Sequence, residues 1–298
     1  IVCGGASAII GNTINGNIAQ QGAGIYCLAN SQPSIRSNII TGNRASSYGG
    51  GIYCGSSTPA IDANTISGNR ASLRGGGVYC DAATVTISNT ILWGDTASTG
   101  REIYLTSSTK LNIYYNAVMG GQAGLFVESG CTVNWTLGNI EGDPLFAAPG
   151  FWDGRGTVTT SDDIWHPGDY HLKSQFGRWN PAANAGAGGW VYDSITSPCI
   201  DAGRHSGSYA NEPRPNGRRL NMGAYGNTAQ ASKSAKWTMP GDTNDDCKIN
   251  VLDLIFIRNN LNASPDSGGN WKADVNEDGK INVLDLIMVR NRLNTLCD

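Results

Sequence analysis

Short apolar runs recur through the first half of the chain and are separated by turns rich in glycine and asparagine. Four runs align as the triplets Ile25-Tyr26-Cys27, Ile52-Tyr53-Cys54, Val78-Tyr79-Cys80 and Ile103-Tyr104-Leu105, which start 27, 26 and 25 residues apart. A steady period of this length is typical of repeat proteins, and the runs show no helical periodicity. The pattern therefore predicts a solenoid in which each repeat contributes short stacked strands.

A second set of positions keeps the same period. It consists of asparagines followed two residues later by an aliphatic residue: Asn12, Asn38, Asn64, Asn89 and Asn116, followed by Ile14, Ile40, Ile66, Ile91 and Val118, with Asn139 as the last member. Two markers in phase predict an all-β right-handed parallel β-helix over residues 1–232, ending in an irregular cap region. Equivalent residues of successive coils then lie about 4.8 Å apart and form ladders along the axis.

Alternation within the triplets assigns the two faces of the strands. Ile25 and Cys27 should point inward and Tyr26 outward, and Leu105 at a cysteine position supports an apolar interior. The tyrosines then form either an aromatic ladder or an exposed sugar-binding surface. The asparagines are expected at left-handed corners, with their amides bonded along the stack. The cysteine column contains Cys3, Cys27, Cys54 and Cys80, either as buried thiols or as disulfides between neighbours.

The region from about residue 120 to 230 has weaker periodicity. It contains five tryptophans, which are expected to fill loops and cap the solenoid rather than to form a sugar-binding platform: Trp135, Trp152, Trp165, Trp179 and Trp190. Several segments resemble the closing part of secreted bacterial right-handed β-helix proteins of the choice-of-anchor type: Asp143-Pro144-Leu145-Phe146, 168–172, 197–203 and 221–225. This resemblance implies a β-helix fold and export, and it transfers no catalytic residue.

Charge and helical periodicity appear together after a predicted linker at 233–241. Residues 242–261 and 274–293 agree at 14 of 20 positions with an offset of 32, which indicates a tandem duplication in a module at 242–298. Each copy has oxygen-bearing residues at positions 1, 3, 5, 9 and 12 of a loop: Asp242, Asn244, Asp246, Asn250 and Asp253, then Asp274, Asn276, Asp278, Asn282 and Asp285. With the main-chain carbonyls of Lys248 and Lys280, this EF-hand spacing predicts two Ca²⁺ ions.

Two calcium loops, each followed by one helix and ending in aspartate, resemble a type I dockerin. The resemblance implies calcium-dependent docking into a cohesin domain, through residues that carry two apolar pairs: Val251, Leu252, Arg258, Val283, Leu284 and Arg290, with Asn259 and Asn291 further along. Near-identity of the copies would permit docking in two orientations related by a half-turn. Cys247 replaces the usual glycine of the first loop, and because dockerin termini lie close together the resemblance implies a Cys247–Cys297 disulfide.

Composition narrows the possible partners and compartment. A formal net charge of -3 and a pI near 5.6 provide no basic surface for nucleic acid. No apolar run approaches the length of a membrane span, and eight cysteines fit an oxidising compartment, so we expect secretion to the cell exterior or surface. Because Ile1-Val2-Cys3 matches the inward triplet, we expect a preceding segment, a neighbouring molecule or the C-terminal module to cover that edge.

Three classes of function compete at this point. A non-enzymatic secreted rod, attached through its calcium module to a cohesin-like domain or to another copy in a fibre, fits the regular low-charge repeats best. A dockerin-borne polysaccharide lyase or glycoside hydrolase would need paired carboxylates, whereas the acidic residues fall singly in different registers: Asp62, Asp81, Asp95, Glu102, Glu128 and Asp143. A glycan-binding adhesin is the third class. The histidines match no metal or triad spacing: His166, His171 and His205.

Overall fold

The computed structural model describes residues 1–157, 162–235, 240–244, 246, 248–265, 270–276 and 278–296. It contains a solenoid of short strands, an irregular cap region that packs against one side of the solenoid, and a small C-terminal module with two helices. All strand pairings described within the solenoid are parallel, which confirms the predicted parallel β-solenoid. No helix in the described part of the chain has the length and apolar character needed to cross a membrane.

The solenoid is built from three long sheets and one short one. The first contains, in spatial order, β1 (Val2–Cys3), β5 (Ile25–Cys27), β9 (Ile52–Gly55), β13 (Val78–Asp81), β16 (Ile103–Thr106) and β19 (Phe126–Val127). The second contains β2 (Ala8–Ile10), β6 (Ser34–Arg36), β10 (Ala60–Asp62), β14 (Thr84–Ser88), β17 (Lys110–Tyr114) and β20 (Thr132–Trp135). The third contains β3 (Thr13–Asn15), β7 (Ile39–Thr41), β11 (Thr65–Ser67), β15 (Ile91–Trp93) and β18 (Ala117–Val118), and the short sheet contains β4 (Ile18–Gln21), β8 (Arg44–Tyr48) and β12 (Arg70–Ala71).

The first sheet confirms the predicted register of the triplets and its interior. Tyr26 pairs with Tyr53 and Cys27 with Cys54, and the side chains of Ile25 and Cys27 are fully buried in the core. The four cysteines of the column are free thiols in the structure, and hydrogen bonding between neighbouring thiols together with burial raises the pKa of Cys3, Cys27 and Cys54. Since only thiolates react readily, this column acts as inert apolar packing.

The tyrosines point away from the core and are nevertheless covered. Tyr53, Tyr79 and Tyr104 are only 8 %, 5 % and 2 % exposed, because each ring stacks on the next at centroid distances of 5.3 and 5.4 Å. Tyr26 extends this tyrosine ladder at one end and Phe126 at the other. The ladder interpretation is therefore correct, and the expected exposed sugar-binding surface of tyrosines is not formed.

The asparagine column forms a ladder of side-chain hydrogen bonds in which a threonine holds one position. Asn38 Nδ2 donates to Asn64 Oδ1 over 3.0 Å and to the carbonyl of Ile9 over 2.8 Å, so each amide links three coils. The structure corrects two expectations. Thr90, and not Asn89, occupies the column, and Leu92 rather than Ile91 aligns with Ile66.

The left-handed residues of this corner also differ from the expectation. They are not the asparagines of the ladder but the residues directly before them: Gly11, Ser37, Ala63, Asn89 and Tyr115. Because the corner is turned one position earlier, the ladder asparagines are free to point their amides into the stack.

A second polar ladder was not predicted from the sequence. Asn17, Asn43 and Asn69 are linked in the same manner at the next corner, and the ladder ends on Asp95, whose Oδ1 accepts from Asn69 Nδ2 over 2.9 Å. Each of these residues follows a glycine with positive φ: Gly16, Gly42, Gly68 and Gly94. The Gly-Asn pairs repeated every 26 residues were the available signal for this ladder.

Among the described residues, the cap region contains antiparallel two-stranded ribbons and a 3-10 turn. These are β21 (Phe146–Ala148) with β24 (Asp169–Leu172), β22 (Phe151–Asp153) with β23 (Ile164–His166), β25 (Arg178–Asn180) with β26 (Gly189–Val191), and the turn Asn184–Gly186. A further 3-10 turn, Gln122–Gly124, lies in the last coil of the solenoid between β18 and β19. Trp152 donates from Nε1 to the carbonyl of Gly68 over 2.8 Å, and Trp165 lies flat against the Gly42 and Gly68 corners. These two tryptophans therefore attach the cap to the solenoid, as the packing interpretation predicted.

The C-terminal module contains α1 (Val251–Asn259), a 3-10 turn (Asn270–Ala273) and α2 (Val283–Arg290). The apolar core of the module lies between the two copies: Ile249, Ile257, Ala273, Val275, Ile281 and Val289. Upstream, Lys233 and Ser234 donate backbone hydrogen bonds to Gly177 and Pro215 of the cap. The first two residues of the predicted linker are thus held by the cap, and the domain limits at 232 and 242 stay predictions.

The two ends of the module lie next to each other. Lys248 and Leu296 form an antiparallel bridge, the Ile249 amide donates to the carbonyl of Thr295, and the Ile249 carbonyl accepts from the Asn294 amide. Cys247 and Cys297 lie outside the described residues, so the predicted disulfide between them stays a prediction. The bridge shows that the module closes on itself next to both positions.

Candidate calcium loops and docking face

Each helix of the module begins at a loop residue that serves as its N-cap. Asn250 Oδ1 accepts from the Leu252 amide over 2.8 Å, and Asp253 Oδ2 accepts from the Asn250 amide over 2.8 Å. Asn282 and Asp285 repeat this reciprocal capping box at α2. Because the last two oxygen residues of each loop also cap the following helix, folding of the helix orients them.

The first loop folds back so that its carboxylates lie near one another. The amide of Asp246 donates to Asp242 Oδ1 over 3.2 Å and to Asn244 Oδ1 over 3.1 Å. Asp253 is fully buried, and its Oδ1 accepts from the amide and hydroxyl of Thr243 over 2.7 and 2.9 Å. Positions 1, 3, 5 and 12 of the loop are thereby held together by the backbone of the loop itself.

The second loop has the same geometry. The Asp278 amide donates to Asp274 Oδ1 over 3.1 Å, and the Gly279 amide donates to Asp274 Oδ2 over 2.9 Å. Gly279 has φ of 80°, the left-handed conformation that glycine adopts without strain at loop position 6. Asp285 is fully buried and accepts from the Val275 amide over 2.8 Å, the counterpart of the bond from Thr243.

The electrostatics of the second loop favour a bound cation. Burial, followed by the charges of Asp285 and Asp278, raises the pKa of Asp274 to about 6. The charges of Asp285 and Asp278 therefore destabilise the ionised form of Asp274 when no cation is near. A divalent cation placed among them would remove this repulsion and hold all three groups ionised.

The chemistry of the donor set fits calcium. The loops offer carboxylate and amide oxygens and no sulfur or imidazole, which suits a hard cation that takes six to eight oxygen ligands. Across the described residues, no three His, Cys, Asp or Glu side chains alone form a group that could hold a metal. Asparagine oxygens and the predicted carbonyls of Lys248 and Lys280 would therefore have to complete each site, and the twelve proposed ligands stay a prediction.

A surface of exposed apolar residues lies on the two helices, and we call it the docking face. It has the same members in both copies, at 37–61 % exposure: Val251, Leu252 and Ile255 from α1, and Val283, Leu284 and Ile287 from α2. Arg258 and Arg290 are also exposed, at the far end of each helix. The structure thus places all six predicted partner residues on the surface.

The two halves of the docking face meet in a shallow cavity of about 350 Å³. It lies between the helices and is lined by Val251, Leu254, Ile255, Arg258, Leu286, Ile287 and Arg290. Four of these lining residues were missed from the sequence: Leu254, Ile255, Leu286 and Ile287. The spacing of four residues between Val251 and Ile255, one helical turn, was the signal that could have identified them.

The duplicated loops, the helices and the solenoid agree with the comparison to protein-family models. Residues 1–149, half of the chain, match the right handed beta helix region, and residues 240–294 match the dockerin type I domain. The chain belongs to the right-handed β-helix family and carries a C-terminal dockerin type I domain. Comparison with curated proteins and with solved structures finds no match. Dockerin type I domains in general bind calcium, so a calcium role for the loops of this dockerin domain is expected of its family.

The acidic residues of the β-helix were expected to fall in different registers, and for two of them this is wrong. Asp81 pairs with Thr106, and Glu128 continues the same column, so the two carboxylates lie two coils apart on one face. Glu128 accepts hydrogen bonds from Thr106 and Tyr104, and these bonds lower the pKa of its carboxyl. Because these bonds and the ion pair with Arg74 occupy Glu128, its role is structural.

Proposed function

We propose that this protein is a secreted, non-enzymatic component that docks onto a cohesin domain through its dockerin domain, with one Ca²⁺ ion in each loop. The β-helix would then serve as the rigid rod that is attached. The observation that carries the proposal is the docking face: exposed apolar residues occupy equivalent positions on both helices, where the end of each predicted calcium loop forms the first turn of the helix.

Calcium would act on docking through the helix starts. Asp253 and Asp285 are both loop residues and capping residues, so an ion bound in each loop would stabilise the first turns of α1 and α2. Val251, Leu252, Val283 and Leu284 belong to these turns. Removing calcium should therefore disorder the docking face, and cohesin binding should be lost along with calcium binding.

The proposed partner surface is apolar at its centre and acidic at its edge. An apolar ridge would fill the cavity between Ile255 and Ile287, and carboxylates would face Arg258 and Arg290. Since the two halves of the face are equivalent, the partner could bind in either of two orientations related by a half-turn. Replacement of both Ile255 and Ile287 by aspartate should abolish binding, whereas the same change at the exposed Phe151 and Ile164 of the cap should leave it intact.

The test measures calcium uptake first and docking second. Isothermal titration of the chelator-treated chain should show two ions bound, and Asp253→Ala and Asp285→Ala should each remove one. The calcium-loaded chain is then titrated with a panel of cohesin domains, with EDTA as control, and its size is followed by sedimentation. Absence of calcium uptake, or a chain that self-associates through the docking face and ignores cohesins, would overturn the proposal.

A further inference from the structure

Two carboxyl groups lie at the buried end of the second polar ladder, whose other members are asparagine amides. Asp95 and Glu102 are each only 2 % exposed. Asp95 Oδ1 accepts from the amide and the Nδ2 of Asn69 over 2.7 and 2.9 Å. Glu102 Oε1 accepts from the backbone amides of Gly94 and Asp95 over 3.0 and 3.2 Å. One oxygen of each group is thereby fully engaged.

The second oxygen of each carboxyl is buried without a donor. Among the described residues, neither Asp95 Oδ2 nor Glu102 Oε2 has a hydrogen-bond partner. Two ionised carboxylates buried side by side would repel each other and leave both oxygens unpaired, which is costly in the interior. A proton on either group removes both problems, because it provides an O–H donor for the other oxygen.

Comparison with the preceding rungs leads to the same conclusion. In Asn43 and Asn69, the atom next to the glycine of the neighbouring coil is Nδ2, which donates to the carbonyl of Ile14 or Ile40. Asp95 Oδ2 occupies the equivalent place beside Gly77, where an added Cβ would lie 2.7 Å from it. An oxygen therefore stands where the ladder provides an N–H, and a proton is needed to complete the pattern.

We propose that Asp95 and Glu102 keep at least one proton between them in the folded protein at neutral pH, and that the stability of the β-helix falls as pH rises. Burial raises the pKa of Asp95 to about 7, and burial together with the Asp95 charge raises that of Glu102 well above its usual range. In the unfolded chain both groups ionise near pH 4. The folded state thus binds more protons above that pH, so unfolding becomes easier by up to about tenfold per pH unit until the pair itself ionises.

The groups that face the pair come from four elements. Asn69 lies on the coil before the pair, and the Gly77 backbone lies on the neighbouring corner. The Gly94 amide lies on the same corner as Asp95, and Tyr170 lies on β24 of the cap. Burial, and to a smaller extent the Asp95 charge, raises the pKa of Tyr170. Tyr170 is therefore neutral throughout the range in which the carboxyl pair titrates.

The test replaces the proton by a permanent N–H. In Glu102→Gln the amide can still accept from the Gly94 and Asp95 amides while its Nε2 donates to Asp95 Oδ2, and Asp95→Asn does the converse. Denaturant unfolding of the full chain should give wild-type stability near pH 5 for both variants. Between pH 5 and pH 8 the unfolding equilibrium constant of the wild type should rise about 10- to 100-fold relative to either variant. Replacement of the exposed Glu141 in Glu141→Gln is the matched control, and its unfolding equilibrium constant should change with pH as that of the wild type does.

Infrared spectroscopy provides a readout that does not depend on how the pair variants fold. A protonated carboxyl band should persist at pH 7.5 in the folded Glu212→Gln chain, in which the other strongly shifted buried glutamate has been removed. The proposal is refuted if that band is absent. It is refuted equally if the wild type, Glu102→Gln and Asp95→Asn share one pH profile between pH 5 and pH 8.

Discussion

Removal of Asn64 tests how much the first asparagine ladder contributes to the stability of the β-helix. Its side chain is fully buried and makes four hydrogen bonds: Oδ1 accepts from the amide and Nδ2 of Asn38 over 2.9 and 3.0 Å, and Nδ2 donates to the carbonyls of Ile35 and Asp62 over 2.8 and 3.0 Å. In Asn64→Ala the buried Asn38 amide loses its acceptor. At ~1 kcal/mol for each of the four lost bonds, with a further penalty of about 1 kcal/mol for the unpaired N–H, the free energy of unfolding should fall by about 5 kcal/mol.

Two matched variants separate the loss of a buried ladder asparagine from the loss of an asparagine in general. Asn12 makes similar bonds but is exposed at the edge of the solenoid, so Asn12→Ala should cost less than about 1 kcal/mol because water replaces the lost partners. Asn64→Thr should lie between the two, because Thr90 holds the same column position, accepting from the Asn64 amide over 3.2 Å and donating to Ser88 over 2.8 Å. Urea unfolding followed by tryptophan fluorescence measures all three. Equal losses in Asn64→Ala and Asn12→Ala would show that the ladder is not a stabilising unit.

Two further predictions concern the tyrosine ladder and the cap. Tyr79→Ala should lower the free energy of unfolding by about 3–5 kcal/mol because the ring is buried and stacked on three others, whereas Tyr79→Phe should keep most of the stability. Tyr26→Ala, which removes a ring with one stacking partner, is the control. Equal losses of stability at Tyr79 and Tyr26 would contradict the reasoning. Burial raises the pKa of Glu212 to about 7, so the stability that its neutral form provides below pH 4 to 5 should be lost as pH rises through 7, by roughly 3 kcal/mol in all. Glu212→Gln should remove this loss in thermal unfolding at pH 8, and an unchanged difference between pH 5 and pH 8 would refute the assignment.

The sequence predicted the solenoid well because its repeats are built from local rules. The strict alternation of Ile25, Tyr26 and Cys27 fixes which side chains enter the core, and the period of about 26 residues then sets the register of the whole first sheet. Burial of the tyrosines was harder to predict from the sequence. It depends on stacking between successive coils and on Tyr48 and Arg74 from neighbouring turns, which alternation within one strand does not report.

The misassigned Asn89 shows where the repeat stops being a sufficient guide. Asn89 has the left-handed φ of 49° that turns the corner, its Nδ2 donates to Asp62 over 2.7 Å, and its Oδ1 accepts from the Arg204 amide of the cap over 2.7 Å. Its contacts are therefore tertiary, while Thr90 keeps the ladder. A residue of the expected type in nearly the expected place was recruited for cap attachment, and only the three-dimensional contacts distinguish the two roles.

The calcium loops were predictable because metal-ligand spacing is a property of a short continuous segment. The central cavity between α1 and α2 was not, because Leu254 and Leu286 come together only when the two copies pack. Asp253 and Asp285, the last residue of each predicted loop, cap the helix that follows, and their role as calcium ligands stays a prediction. The local sequence thus predicted the loop of each copy, whereas packing of the two copies determines the cavity between their helices.

The differences between the two copies of the dockerin domain point to its functional surface. At two core-facing positions the copies have diverged, since Phe256 corresponds to Met288 and the fully buried Ile257 corresponds to Val289, although Ile249 and Ile281 are identical. Exposed positions normally tolerate change more easily than buried ones, because a surface substitution costs little stability. Here the exposed Val251, Leu252 and Ile255 and their counterparts are identical in both copies, although exposed aliphatic residues do not stabilise the fold. Packing therefore does not explain their identity, which supports the proposal that a partner contacts both helices in equivalent ways.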